Sequence, residues 1–290
     1  MYAQSVSRYH RNEHWALFVR PPDRAGGEIL DGPPWRLIGR GFVLLFRAGR
    51  SANVGRSTAG PRPALSTPRG FGALLLIDYS ASTVGPYREC MWIPGAVRSR
   101  PLSPEHQSGA VEQRAVPESD EAARTGGALL KGHTIERVVV TSERSVRAGT
   151  GNWAIPKELG AVTWVRGGSG GERITVVDGS GRTIVELSIR VGGPLKGSRI
   201  GSLPFSSLLL PRTLLQQRAG AVYRTRIAAR GRIRPAHVER LSGGGKCFGQ
   251  VGKHRIIGAL LLESFTLYFP PAEIFLPRPV LRPVRARRRR

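Results

Sequence analysis

A chain of 290 residues is long enough for one large domain, or two small ones, with a proper core. Its 37 glycines and 22 prolines argue against a helical bundle and for many turns and short strands. The net charge of +25 ordinarily points to a polyanion, but the forty arginines, set against only five lysines, are scattered singly through apolar runs and loops. That scatter fits a GC-rich coding bias better than a nucleic-acid face, so nucleic acid is not the expected partner. A positive field still favours approach of small anions.

Residues 1–31 are polar, without period, and end in Asp31-Gly32-Pro33-Pro34; they read as an unstructured N-terminal extension. A domain is expected over residues 32–276. Its first strand-like runs are Gly41–Phe46, Phe71–Tyr79 and Tyr87–Ile93, with a Gly/Pro/Arg/Ser-rich linker at 48–70 between the first two. Residues 98–127 turn polar and acidic and read as a surface insertion. Order resumes in the β-branched run Thr134–Thr141. Arg173–Val177 and Thr183–Arg190, joined by Asp178-Gly179-Ser180-Gly181, read as a β-hairpin. In its second arm Val185, Leu187 and Ile189 alternate with polar residues. Strands are expected at Ala221–Ala229 and Gly258–Phe269, and two helical turns at Arg212–Arg218. The Arg/Pro-rich residues 277–290 are expected to be a disordered tail. No apolar run is long enough to cross a bilayer and no signal-peptide core opens the chain, so a cytoplasmic protein is expected.

Several motifs fail on their context. Gly167-Gly168-Ser169-Gly170-Gly171 has the spacing of a hydrolase nucleophile elbow, but a strand-like segment follows where a helix is needed. Gly149 to Ala154 mimics a dinucleotide fingerprint, yet Pro156 interrupts the helix that should receive the pyrophosphate. Gly243-Gly244-Gly245-Lys246-Cys247 lacks the first glycine and the metal-binding hydroxyl of a phosphate loop. Two cysteines, Cys90 and Cys247, make no disulfide framework, and the six histidines show no ligand spacing, so no metal is expected.

One lysine stands out. Lys157 lies in Trp153-Ala154-Ile155-Pro156-Lys157-Glu158-Leu159-Gly160, an apolar segment in which burial would favour the neutral amine. A neutral amine can attack a carbonyl, whereas a guanidinium effectively never deprotonates. Two further segments accompany it: Pro33-Pro34-Trp35-Arg36-Leu37-Ile38-Gly39-Arg40-Gly41-Phe42, and Val84-Gly85-Pro86-Tyr87-Arg88-Glu89-Cys90 followed by Ile93-Pro94-Gly95. In this order the three resemble the acetoacetate decarboxylase family and its wider superfamily over roughly residues 33–275.

The resemblance implies a mostly β fold, an antiparallel β-barrel or cone with few short helices. It further implies no cofactor, no metal and a homo-oligomer acting on a small keto acid or related carbonyl compound. Lys157 takes the place of the family's Schiff-base nucleophile, whose iminium serves as the electron sink as carbon dioxide leaves; acetoacetate decarboxylase is itself the standard example of a lysine activated for this chemistry. Glu89 takes the place of a carboxylate that handles protons or orients substrate, and Arg40 that of a cation for the substrate carboxylate. Tyr87 and Trp153 would wall the pocket. Two departures bear on the substrate: Glu158 stands where the decarboxylase has a second lysine, and Gly149-Thr150-Gly151 replaces its Gly-Arg-Glu. Alternative readings on the same fold are a Schiff-base aldolase or dehydratase and a non-catalytic binder of small hydrophobic carboxylates.

Overall fold

Runs of alternating or continuous apolar residues dominate the chain, and in a computed structural model they pair into two sheets. The structure describes residues 31–47, 65–99, 102–104, 129–167, 170–192, 203–206, 212–244, 248 and 254–277. The strands of the first half are β1 (Trp35–Arg47), β2 (Phe71–Ala81), β3 (Tyr87–Ile93), β4 (Gly95–Arg98), β5 (Leu102–Pro104), β6 (Lys131–Thr134) and β7 (Arg137–Val140). Helix α1 (Glu143–Trp153) follows. The rest is β8 (Lys157–Leu159), β9 (Ala161–Arg166), β10 (Gly171–Val177), β11 (Thr183–Val191), β12 (Leu203–Ser206), β13 (Thr213–Arg218), β14 (Ala221–Arg226), β15 (Ala228–Gly243), β16 (Ile256–Phe269) and β17 (Glu273–Pro277).

The larger sheet runs β8-β7-β3-β2-β1-β16-β15-β11-β10-β9, with β12 on β15. Its two end strands, β8 and β9, are consecutive in the chain and separated only by Gly160, so the sheet curls into a nearly closed barrel. Only glycine fits that seam: a Cβ there would lie 2.4 Å from the Val177 carbonyl oxygen and 2.5 Å from the Val139 side chain. The smaller sheet runs β4-β6-β13-β14-β17-β5.

Because side chains alternate across a strand, each strand of the curled sheet feeds two cores. Phe42, Leu44, Leu76, Val139, Val176 and Leu187 fill its inner face. Leu37, Leu75, Tyr87, Val138, Val140 and Leu262 point the other way, into an apolar layer shared with α1 and the smaller sheet. Each such side chain, fully buried, contributes about 1.5–3 kcal/mol. The mostly β fold agrees with the sequence reading, and the Arg173–Arg190 hairpin forms, with one irregularity in register between Val176 and Val177.

Three expectations need correction. Arg212–Arg218 is not helical: the turn at Ala219 and Gly220, with φ of 49° and 85°, closes a hairpin that pairs β13 with β14. Residue 98, where the polar insertion was expected to begin, lies in a strand. Arg98 ends β4, Ser99 donates its backbone N–H to the Leu130 carbonyl at 2.9 Å, and β5 pairs with β17. Pro277, assigned to the tail, is the last residue of β17 and pairs with Leu102. Residues 1–30, 105–128 and 278–290 lie outside the described residues. Among the described residues no helix is long and apolar enough to cross a membrane.

Candidate active site

Lys157 is placed by a helix the sequence reading did not anticipate. The side chain of Ser142 caps α1, its Oγ accepting from the backbone N–H of Ser145 at 3.2 Å. Ala154 closes the helix in the left-handed conformation at φ 54°. After Pro156 the chain re-enters the sheet as β8, parallel to β7, with Lys157 opposite Val138 and Glu158 opposite Val139. Val138 faces the apolar layer and Val139 the barrel interior. Lys157 therefore points into the layer and Glu158 away from it.

The lysine stem crosses α1 at Gly149, where a Cβ would lie 2.7 Å from Lys157 Cδ and 2.8 Å from Cε. Lys157 Nζ donates to Glu89 Oε2 at 2.8 Å and to Ser145 Oγ at 2.9 Å. The two charged side chains are only 5% and 2% exposed. Tyr79 Oη donates to Glu89 Oε1 at 3.4 Å. Nζ also lies 5.3 Å from the centre of the Tyr87 ring and 5.9 Å from that of Trp35, positions in which a ring face attracts a cation.

Burial is the strongest single influence on the Lys157 amine and pushes its pKa down, but the charge of Glu89, with the hydrogen bonds of Glu89 and Tyr87, outweighs it. The pKa ends above the ordinary lysine value. This corrects the expectation that burial sets the direction: the carboxylate contact holds the resting lysine as ammonium. Burial also raises Tyr87 to about 12, and raises Tyr79 well above its ordinary value, with Glu89 adding to the effect. Both phenols stay neutral and can donate hydrogen bonds at neutral pH.

Of the five residues singled out in the sequence, Lys157, Glu89 and Tyr87 meet at one point. Trp153 stands one layer behind, edge-on to Trp35 and to Phe269 at 5.0 and 5.2 Å between ring centres. Its indole N–H donates to the Pro270 carbonyl at 2.7 Å. Arg40 is on the opposite face of the sheet. Its guanidinium makes a two-pronged pair with Glu172 at 2.7 and 3.0 Å and lies over the Trp164 ring. Ser145, Tyr79 and Gly149 were not singled out as site residues. Glu158 is occupied by Arg137, whose Nε donates to it at 2.8 Å. Among the described residues no group of three or more His, Cys, Asp or Glu could hold a metal ion.

A small apolar chamber of about 40 Å³ adjoins this cluster through Tyr79 and is lined by Ile77, Met91, Leu214, Leu262 and Phe265 among others. The site thus combines a buried amine, a carboxylate in contact with it, neutral phenols and a hydrocarbon wall.

A curled, mainly antiparallel sheet backed by a smaller sheet and, among the described residues, one helix is the acetoacetate decarboxylase-like fold, and this chain has it. No family model and no curated protein matches the sequence; the likeness is structural. Acetoacetate decarboxylase from Legionella pneumophila superposes with a TM-score of 0.53 at 14% identity, over 89% of this chain and 92% of the other. An acetoacetate decarboxylase-like enzyme from Sphingomonas wittichii RW1 gives 0.53 at 13% identity, over 86% and 94%. The enduracididine biosynthesis enzyme MppR, in complex with pyruvate, gives 0.50 at 12% identity, over 85% and 91%.

Proposed function

We propose that the chain is an acetoacetate decarboxylase-like lyase that forms a Schiff base between Lys157 and a β-keto acid or related carbonyl substrate. The observation that carries this reading is the buried Lys157–Glu89 contact at 2.8 Å. Such a pair is a poor way to stabilise a fold, since desolvating two charges costs about as much as their attraction returns. A buried amine whose proton has a carboxylate acceptor in contact is what imine chemistry requires.

In this reading Glu89 takes a proton from Lys157 as the carbonyl arrives, and the freed amine nitrogen attacks the carbonyl carbon. A proton shifts from that nitrogen to the oxygen to give the carbinolamine, and Glu89 returns its own proton to the hydroxyl, which leaves as water to give the iminium. The carbon–carboxylate bond then breaks, its electron pair moves into the iminium to give an enamine, and carbon dioxide departs. A proton from solvent water delivered to the enamine carbon and hydrolysis of the imine complete the cycle. Tyr87 and Tyr79 serve as neutral hydrogen-bond donors beside the reacting atoms.

Arg40, held by Glu172 across the sheet, is left out of this assignment. That placement favours a second reading, aldol condensation or dehydration through the same imine, which does not depend on gripping a carboxylate for its loss. Homo-oligomeric assembly and a cytoplasmic location go with either reading. Borohydride added with acetoacetate or pyruvate is expected to leave a stable mass increase on Lys157, absent in Lys157→Ala. No adduct across a panel of carbonyl compounds would refute both readings, and an adduct without carbon dioxide release would select the second.

A further inference from the structure

At the other end of the apolar layer the two sheets part to leave a cleft of about 1300 Å³. That exceeds the ~300–1,000 Å³ usual for small-molecule sites. One wall is hydrocarbon from the curled sheet, chiefly Val43, Leu45, Ala73, Leu75 and Ile93. The other wall comes from β4 and β6. Arg98 stands directly opposite Lys131 in that ladder, and Ala96 opposite His133. Val97, between them on β4, turns the other way into the small core with Leu215 and Phe275, so Arg98 and Lys131 share the face that borders the cleft.

Two like charges directly opposed on neighbouring strands destabilise a sheet. Arg69 and Arg212 bring the cations lining the cleft to four, with no carboxylate among the described lining residues. None of the four side chains enters an ion pair with another described residue. Burial lowers the pKa of His133, so its imidazole adds no charge at neutral pH. The wall therefore carries concentrated positive charge facing hydrocarbon, and an organic anion with an apolar body complements both sides.

We infer that this cleft is a binding site, separate from Lys157, for an anionic amphiphile, a carboxylate or similar head on a hydrocarbon chain. The anionic head lies against Arg98 and Lys131 and relieves their repulsion, while the chain covers Leu45, Leu75 and Ile93. The cleft shares Leu75 and Ile93 with the small chamber that reaches Tyr79, so the ligand's apolar end is directed toward the site without reaching it.

The test is calorimetric titration with decanoate at low ionic strength, with acetate and decanol as controls. The wild-type protein is expected to bind one decanoate per chain, at least tenfold more tightly than either control. Arg98→Glu turns the like-charged pair into an opposed one, so its melting temperature should hold or rise while decanoate affinity falls at least tenfold. Lys157→Ala should bind decanoate as the wild type does. Unchanged affinity in Arg98→Glu, or decanol binding as tightly as decanoate, would overturn the inference. Loss of binding in Lys157→Ala would also overturn it, by moving the ligand to the other site. Borohydride trapping reads Lys157 alone, so failure of the imine chemistry and failure of this site are separate results.

Discussion

Gly149→Ala adds one carbon in the middle of α1, directly against the Lys157 stem. The new Cβ would lie 2.7 Å from Cδ and 2.8 Å from Cε, where carbon atoms ordinarily approach to about 3.5–4.0 Å. The stem must retreat by about 0.8 Å. Such a retreat would stretch the 2.8 and 2.9 Å contacts of Nζ to about 3.6 Å, beyond a hydrogen bond. The stability change is small because two effects oppose. Alanine in place of glycine favours the helix by about 1 kcal/mol, while each weakened charged hydrogen bond loses a share of its ~1.5–3 kcal/mol. A net loss of about 1–2 kcal/mol lowers Tm by a few degrees. The chemical effect is much larger, since a misplacement of about 1 Å costs on the order of 100-fold in rate. Thermal melting followed by borohydride trapping with acetoacetate separates the two. A folded Gly149→Ala protein that traps substrate at the wild-type rate would refute the claim that Gly149 sets the position of the nucleophile.

Glu89→Gln removes the main influence holding Lys157 protonated and leaves burial to push its pKa down. Adduct formation should therefore begin at lower pH than in the wild type, but with a lower maximum rate because glutamine cannot carry the proton; trapping across a pH series reads both. Glu158→Gln should leave that profile unchanged, because Glu158 faces Arg137; with its side chain 40% exposed, stability should change by less than about 1 kcal/mol. His133 and His254 are both held below the ordinary 6.5 by burial. The unfolded chain takes up protons first, so stability present above pH 6.5 is lost as pH falls below it. Replacing both with glutamine should flatten that part of a melting-temperature profile. The Lys157–Glu89 pair acts at the other end: its contribution is complete below 10.5, the ordinary lysine value, and declines as pH rises through the elevated one.

The strands were legible because their residues carry the period of a half-buried sheet, as in Val185, Leu187 and Ile189, or form continuous apolar runs, as in Leu74–Ile77. Helix α1 was not. Its sequence, Glu143–Trp153, is polar and contains two glycines, and it is held by the Ser142 cap and by contacts distant in sequence, such as Trp153 to Pro270. Of the site, Lys157, Glu89 and Tyr87 could be picked out by residue type and segment order. Ser145 and Tyr79 could not, since nothing local marks a serine on a helix or a tyrosine in a strand as the partner of a charge 12 or 10 positions away. Arg40 shows the converse: its residue type and strand suited the role, but a side chain's face depends on register. The irregular register between Gly39 and Gly41 belongs to the sheet and is not visible in the segment alone.

The seam at Gly160 has a mechanical consequence. The backbone N–H of Gly160 donates to the Val140 carbonyl at 3.0 Å, three residues from the nucleophile, at the junction where the first and last strands of the curled sheet meet. That bond ties β8 to β7, so any opening that frees β8 from the sheet must break it and carry Lys157 away from Glu89. Hydrogen exchange at that one amide would then measure how often β8 parts from β7, and with it how often the nucleophile leaves its post.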